Sequence, residues 1–432
     1  MATTVAPRPS IYPILSVNFV GALGFSIVLP FLVFLVTRLG GNALVYGVMG
    51  ATYSFFQLFG APILGRWSDR YGRKRILLLS QLGTLASWGI FLIALFLPVT
   101  TLIEVDSNVL GAFTLTVPLI VLFVARALDG ATGGNVSVAN AYLADVTDDA
   151  DRSANFGKMA ASSNLGFIFG PAIAGVLGAT ALGETLPVIA AQLISVVASV
   201  IIVLKLEDVP RCTLAVDPEQ ANVRKVFGQE QKECFQLEGG SQLSIRQVLA
   251  LPSIAPLLAV YFFVFLAFNF FYVAFPVHAA TTLNWGLADT GIFFSFMGLT
   301  MVVVQGPVLK RASGAWSDGF LILAGSLLLA VSFFFFVSSS TTLIYVGTAL
   351  LALGNGVMWP SLLSVLSKAT EPDVQGAVQG VAGSCGAVAS ILGMLSGGLL
   401  YGIVGSRIFL LSGFVTAIAF VVAMRTVRSS GA

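Results

Sequence analysis

Uncharged apolar runs long enough to cross a bilayer recur along almost the whole chain, separated by short polar turns. A helix needs about 20 mostly apolar residues to span the hydrocarbon core. Twelve such runs are legible, near 11–36, 45–65, 76–98, 116–143, 156–180, 186–204, 252–279, 290–309, 319–337, 342–367, 376–402 and 407–424. Residues 319–367 carry no charge and are divided at Ser338-Ser339-Ser340-Thr341-Thr342, a polar turn between two helices. The first run is longer than a signal-peptide core and lacks a small-residue cleavage site, so it is read as the first spanning helix. The expected fold class is an all-α membrane protein of twelve transmembrane helices in two pseudo-symmetric six-helix bundles.

The longest hydrophilic stretch, 207–247, holds Pro210, Pro218 and Gly239-Gly240 and splits the runs six and six. The expected units are an N-terminal bundle (1–206), a cytoplasmic linker (207–247) and a C-terminal bundle (248–432). One offset of 223 residues pairs Gly133 with Gly356, Thr147 with Thr370, Asp148 with Glu371, Gly157 with Gly380, Gly170 with Gly393 and Gly175 with Gly398. That ordered series reads as an internal duplication, a design in which two halves rock about a site near the midplane.

Composition agrees with a lipid solvent: 10% of residues are charged, against roughly 25% in soluble domains. Of the 22 Lys and Arg, all but Arg38, Arg407 and Arg126 fall on one set of alternate loops. Basic residues gather on the cytoplasmic side, which predicts both termini in the cytoplasm and a multi-pass protein of the plasma (inner) membrane. No Gly-rich phosphate loop, metal-spaced His/Cys cluster or hydrolase elbow is present, which speaks against an enzyme or an ATP-driven pump. Cys212, Cys234 and Cys385 define no disulfide or metal framework. No cofactor and no nucleic-acid partner are expected; the expected partners are lipid, a small-molecule substrate and protons, with the protein a monomer.

The loop after the second run reads Gly65-Arg66-Trp67-Ser68-Asp69-Arg70-Tyr71-Gly72-Arg73-Lys74-Arg75. Positive-inside anchoring explains its bases but not its glycines or Asp69. A carboxylate there can cap a helix N-terminus while Arg70 and Arg73 pair with acids on neighbouring loops, closing a cytoplasmic gate that also includes Asp145 and Arg152. The loop resembles the signature of the major facilitator superfamily. The fourth run, with Arg126-Ala127-Leu128-Asp129-Gly130 and a terminal Asp145, is similar to the fourth helix of the drug/proton antiporter branch, tetracycline exporters included. Gly166, Gly170, Pro171 and Gly175 in the fifth run resemble that branch's glycine-proline antiporter motif, and Gly24-Phe25-Ser26-Ile27-Val28-Leu29-Pro30 fits it too. The resemblance implies secondary active transport: a proton-coupled antiporter exporting small amphipathic compounds or drugs by alternating access. Tetracycline exporters carry acids in the first and third spans where this chain has Gly21 and Ser87, which argues against tetracycline itself. A symporter or facilitator of the same fold, or a transport-inactive receptor or scaffold, is the alternative.

A charge at the bilayer centre costs at least about 2.5–3.5 kcal/mol, so Arg126 and Asp129 are expected to face the interior. Three residues apart, they share a helix face with Gly133 and Asn140. The pair is either a self-neutralising structural bridge or a coupling and substrate site. In the seventh run Asn269, Tyr272 and Pro276 fall on one face, as do Asn355 and Trp359 in the tenth; these either tie helices together or wall a cavity. The Phe residues of 262–271 read as lipid-facing or packing, and His278 as an interfacial residue.

Overall fold

The computed structural model describes residues 10–147, 152–208, 245–251, 253–369 and 372–429. Most of the linker, with Cys212 and Cys234, lies outside the described residues. Helices α1 (Tyr12–Arg38), α2 (Ala43–Tyr71) and α3 (Arg73–Phe96) are joined by turns whose chemistry is local. Asn42 caps α2 by accepting from the Val45 amide at 3.1 Å. Gly72, at φ 102°, both ends α2 and starts α3, a backbone conformation that glycine adopts without strain.

A strand pair then interrupts the helices: β1 (Thr101–Ser107) runs antiparallel to β2 (Gly111–Thr116). Polar and apolar residues alternate along it, with Ile103 opposite Leu115 and Val105 opposite Phe113. The hairpin is tied down by the Thr114 amide to Gly40 O at 2.8 Å and by Asn42 Nδ2 to Leu110 O at 2.9 Å. It is a β addition to a fold expected to be wholly helical.

The fourth apolar run is two helices, α4 (Val117–Ala131) and α5 (Asn135–Val146), broken at Thr132-Gly133-Gly134. Next come α6 (Arg152–Gly178), α7 (Thr185–Lys205), the short α8 (Ile245–Leu249) and α9 (Ile254–Thr281). Helix α10 (Leu287–Val303) passes through a π-helical turn at Val304–Val308, around Pro307, into α11 (Leu309–Ala315). Helices α12 (Asp318–Phe335), α13 (Thr341–Lys368), α14 (Pro372–Val404) and α15 (Ile408–Ser429) complete the chain.

Among the described residues, nine helices are long and apolar enough to cross a membrane, or ten if the two pieces of α1, bent by 42° between Val28 and Phe31, form one span. The reading of twelve divides this material more finely. Gly380–Thr426 is one apolar stretch by this measure yet contains both α14 and α15, and α2, with Tyr53, Ser54 and Gln57 inside it, is not among the nine.

In the first group the β1–β2 hairpin is bonded to Gly40 and Asn42 between α1 and α2, whereas Ile14 of α1, Leu77 of α3, Tyr142 of α5 and Leu206 after α7 cluster away from it, and these are called the hairpin end and the termini end. Within the first group, α1 packs on α6 and α7, and α4 on α2 and α3; within the second, α9 packs on α14 and α15, and α12 on α13. The groups meet along α2–α14 and α6–α10. Both seams bring glycines into close approach towards the hairpin end. A Cβ on Gly47 would lie 3.1 Å from Gly398 Cα, and one on Gly175 would lie 2.9 Å from Gly291 Cα. Small residues let backbones approach where no hydrophobic force between helices acts.

Three apolar clusters follow this division. One is confined to α8–α15 and is rich in rings, among them Phe271, Phe275, Phe293, Phe333 and Phe409, with Phe275 stacked on Phe293 at 4.0 Å. A second joins the first group to Val273 and Val277 of α9, and a third holds Ile14, Leu77, Tyr142 and Leu143 at the termini end. Helix α9 is therefore a central helix, apolar all round because it is enclosed. Phe270 and Phe271 are buried and Phe262, Phe263, Phe265 and Phe268 half-buried, so none of the six is a fully lipid-exposed ring. His278, in the last turn of α9, is enclosed by protein: it is 1% exposed, 3.3 Å from the Tyr401 hydroxyl and edge-on to Phe409.

Candidate functional site

The break between α4 and α5 turns a continuous run into a bent wall. Gly130 and Gly133 leave the backbone next to α2 bare: a Cβ on Gly130 would collide with Tyr53 O, and Gln57 Nε2 donates to Gly133 O at 3.2 Å. Arg126 and Asp129 sit one turn before the break, 5% and 8% exposed. Arg126 NH1 and Asp129 Oδ2 are 3.3 Å apart, a long contact for an ion pair that has left water. The Tyr53 ring takes the guanidinium face at 4.5 Å from its centroid, and Arg126 Nε has no partner among the described residues. Such a pair is costly to bury and weakly consummated, so packing alone gives no reason to keep it.

Beside it opens a cavity of about 260 Å³ enclosed by the first group of helices. Its polar lining comes from Asn18, Gln57, Gln81, Thr84, Asp129, Asn135, Ser163 and Ser195, and its aromatic lining from Phe25, Tyr53, Trp88 and Phe167. Asp129 is part of the wall while Arg126 is not among the lining residues. A concave site of aromatic faces with a few converging polar groups is the usual form of a small-molecule pocket. Gly21, which stands where tetracycline exporters have an acid, lines it as well, and Ser87 spends its hydroxyl on Ala125 O.

Of the residues expected at the site, Arg126 and Asp129 are brought together here, whereas Asn140, past the break on α5, does not line the cavity. The residues expected from the second group lie elsewhere. Asn269 donates to Phe265 O at 2.8 Å and to Ser390 Oγ at 3.1 Å, tying α9 to α14. Tyr272 packs against Phe268 at 4.8 Å, and Trp359 against Tyr261 and Phe265 at 4.8 and 5.0 Å. Asn355 is half-buried on α13 and also outside the cavity lining. What sequence reasoning missed is the contribution of α1, α2 and α3: Asn18, Tyr53, Gln57, Gln81 and Thr84. The spacing of Tyr53 and Gln57, four apart on one face of an otherwise apolar span, was the available signal.

At the termini end, Arg73 Nε meets Asp145 Oδ2 at 2.7 Å and Arg73 NH1 donates to Ser68 Oγ at 2.7 Å, joining α3 to the end of α5. Arg70 is exposed and lies over its neighbour Tyr71, 5.5 Å from the ring centroid. Gly65 lies within α2, and Gly72 forms the tight turn. The side chains of Asp69 and Arg152 are outside the described residues. The Arg73–Asp145 bridge is three-quarters or more buried on both sides, so Asp145→Asn should lower the thermal midpoint of the detergent-purified protein, by a loss of about 1–3 kcal/mol. An unchanged midpoint would show that the bridge carries no net stability.

In α6, the glycine motif serves two contacts. A Cβ on Gly166 would lie 2.7 Å from Ala22 Cβ and the Leu23 amide, and one on Gly170 would run into Ser26 Oγ, so both face α1. Gly175 instead faces Gly291 of α10 across the seam between the groups.

Comparison with known proteins decides the family. The family model of the Major Facilitator Superfamily matches residues 14–318 and 257–431. The chain belongs to the Major Facilitator Superfamily. Within this superfamily it is similar to the tetracycline resistance protein of class E from Escherichia coli, 28% identical over 90% of this chain and 86% of that protein. It is also similar to the class C protein of the same organism, 26% identical over 87% and 85% of the two chains. Its fold matches the crystal structure of a D-xylose-proton symporter with a TM-score of 0.72 at 14% identity, covering 96% of this chain and 97% of the other. It is thus a multi-pass membrane protein of a transporter superfamily, resembling drug exporters and acting on a small-molecule substrate.

Proposed function

We propose that this superfamily member is a proton-coupled antiporter that expels small amphipathic organic compounds from the cytoplasm by alternating access. The observation that carries the reading is the buried, loosely paired Arg126–Asp129 couple with its carboxylate in the wall of a polar, aromatic cavity. An ionisable residue buried in a span and facing a cavity is by default a functional group, and here its partner is Arg126. The names of the tetracycline resistance relatives support drug export as the direction. The two groups act as halves, 1–206 and 248–432, joined by a cytoplasmic linker at 207–247, and the protein works as a monomer in the plasma (inner) membrane with both termini inside. The close glycine seams near the hairpin end then correspond to a state closed outward.

Orientation is tested by placing a thiol on the hairpin tip. Val109→Cys, at a position 60% exposed, should react with a membrane-impermeant maleimide in intact cells, in a background with Cys212, Cys234 and Cys385 replaced by Ser. Labelling only after lysis would invert the topology. The transport reading is tested by growth of expressing and non-expressing cells against a compound panel, followed by exchange in proteoliposomes with an imposed pH gradient. Gradient-dependent movement of at least one compound is expected; movement of none would leave a receptor or scaffold as the better description.

A further inference from the structure

An arginine and a carboxylate enclosed together out of water favour two parallel N–H···O bonds. Arg126 and Asp129 are arranged differently: the contact between them runs from NH1 to Oδ2 at 3.3 Å, and Arg126 Nε is buried with no partner among the described residues. The guanidinium gives its face instead to the Tyr53 ring, 4.5 Å from the centroid. A cation and a ring attract most strongly where water is excluded, and Arg126 is 5% exposed.

The ring is braced on several sides. Two close approaches fix the backbone of α2 against α4, Tyr53 O at Gly130 and Gly60 at Ala131 O. Gln57, one turn further along α2, donates from Nε2 to the Tyr53 hydroxyl at 3.0 Å and to Gly133 O at 3.2 Å. That amide ties the hydroxyl end of the ring to the break between α4 and α5. Phe25 of α1 packs beside it, with ring centroids 5.4 Å apart. The ring is therefore the fixed partner and the guanidinium, on its long side chain, the movable one.

Few other ionisable groups reach the couple. Tyr46 of α2, itself beside Tyr272 of α9, acts on Arg126, and α3 brings the Thr84 hydroxyl to Asp129. Helices α2 and α3 carry their remaining ionisable residues at 66–75, the end of the molecule where Arg73 meets Asp145. Strand β2, which also packs on α4, has no titratable residue. What decides how firmly Asp129 is held as a carboxylate is thus how Arg126 divides itself between Asp129 and Tyr53.

We infer that Tyr53 is a positioning residue, whose ring holds the Arg126 guanidinium off Asp129 and so keeps the carboxylate open to protonation. The inference rests on the reading of the Arg126–Asp129 couple as the coupling site and names what sets its readiness. Without the ring, the freed guanidinium turns to Asp129 and closes a second bond. A carboxylate that accepts two N–H bonds from a guanidinium keeps its ionised form to lower pH.

The test follows the proton itself and needs no substrate. The full-length protein in nanodiscs is titrated by infrared difference spectroscopy, and the C=O stretch of the protonated carboxyl is assigned to Asp129 by comparing Arg126→Gln with Arg126→Gln/Asp129→Asn. Tyr53→Leu should move the titration midpoint down by about one pH unit or more, a loss of about tenfold or more in proton affinity. Tyr53→Phe, which keeps the ring face, should follow the parent. In an Arg126→Gln background Tyr53→Leu should move nothing, because the ring acts through the cation. A merely structural role would lower the yield or the thermal midpoint and leave the titration in place. Should Tyr53→Leu fail to fold, Tyr53→Met removes the ring in its stead. An unmoved or raised midpoint in the ringless variants, an equal shift in Tyr53→Phe, a shift that survives Arg126→Gln, or no titrating Asp129 band in the parent overturns the inference. The result stands apart from the exchange assay. A midpoint that shifts as expected in a protein that accumulates nothing would defeat the antiporter reading and leave the positioning role, while gradient-driven accumulation with an unmoved midpoint would do the reverse.

Discussion

Gly170→Leu should all but abolish folded protein in the membrane, while Gly157→Leu in the same helix should leave its yield within about twofold of the parent. At Gly170 a Cβ alone would meet Ser26 Oγ, the Ile27 amide at 2.9 Å and Leu23 O at 2.9 Å. Two of those three atoms are backbone, so a rotamer change cannot make room. Helices α1 and α6 would have to separate, and the bond from Ser26 Oγ to Gly166 O, 2.9 Å long and buried, would be lost with the contact. Overpacking costs about 1–3 kcal/mol when neighbours can adjust, and here the neighbours are main chain. A Cβ on the exposed Gly157 meets nothing within 4 Å among the described residues, so a side chain there starts into open space. The measurement is fluorescence-detected size-exclusion of tagged variants after solubilisation. A monodisperse, parent-like Gly170→Leu peak would show that α1 and α6 are not packed through this motif.

That contrast between two glycines also marks how far the sequence could be read. Hydropathy located the helices, with ends off by up to about six residues at α2, because the bilayer imposes length and apolarity on each span independently. The glycine-proline motif announced close packing, but only the structure shows that Gly166 and Gly170 address α1 and Gly175 addresses α10. The hairpin at 101–116 escaped because it is short, lies between spans and competes with two flanking apolar runs for attention, although its alternation is visible in retrospect. The break in the fourth run was written in Thr132-Gly133-Gly134 and was absorbed into a longer hydrophobic segment.

The site was partly legible for a related reason. Arg126 and Asp129 stood out because charges in a span are expensive, and that signal belongs to single residues. Asn18, Gln57, Gln81 and Thr84 are uncharged and lie on three different helices, so their meaning arises only when the helices converge. The same limit misdirected the reading of Asn269, which looks like a cavity residue on a helical wheel and instead spends its amide on Phe265 O and Ser390 Oγ.

Asp129→Asn should abolish gradient-driven accumulation while substrate binding persists. Of the two charged residues that α4 buries, arginine stays protonated in proteins, so Asp129 is the one able to carry a proton. His278 is ionisable and buried too, but it lies against Tyr401 and Phe409 and does not line the cavity. The proton affinity of Asp129 depends on its distance from Arg126 and on its hydration, and both change if the wall opens and closes during a cycle. The 3.3 Å separation leaves room for such movement in either direction. In proteoliposomes with one pH unit imposed, one proton per neutral exchange supports at most about tenfold accumulation, and the variant should fall to the level seen without a gradient. Removing one partner of a buried pair leaves the other charge stranded at a cost of about 3–5 kcal/mol, so Asp129→Asn alone could fail by misfolding. The double variant Arg126→Gln/Asp129→Asn removes both charges and that penalty with them, and it too should exchange substrate without responding to the gradient. Accumulation at parent levels in either variant would make Asp129 only the structural counter-ion of Arg126 and place the coupling proton elsewhere in the protein.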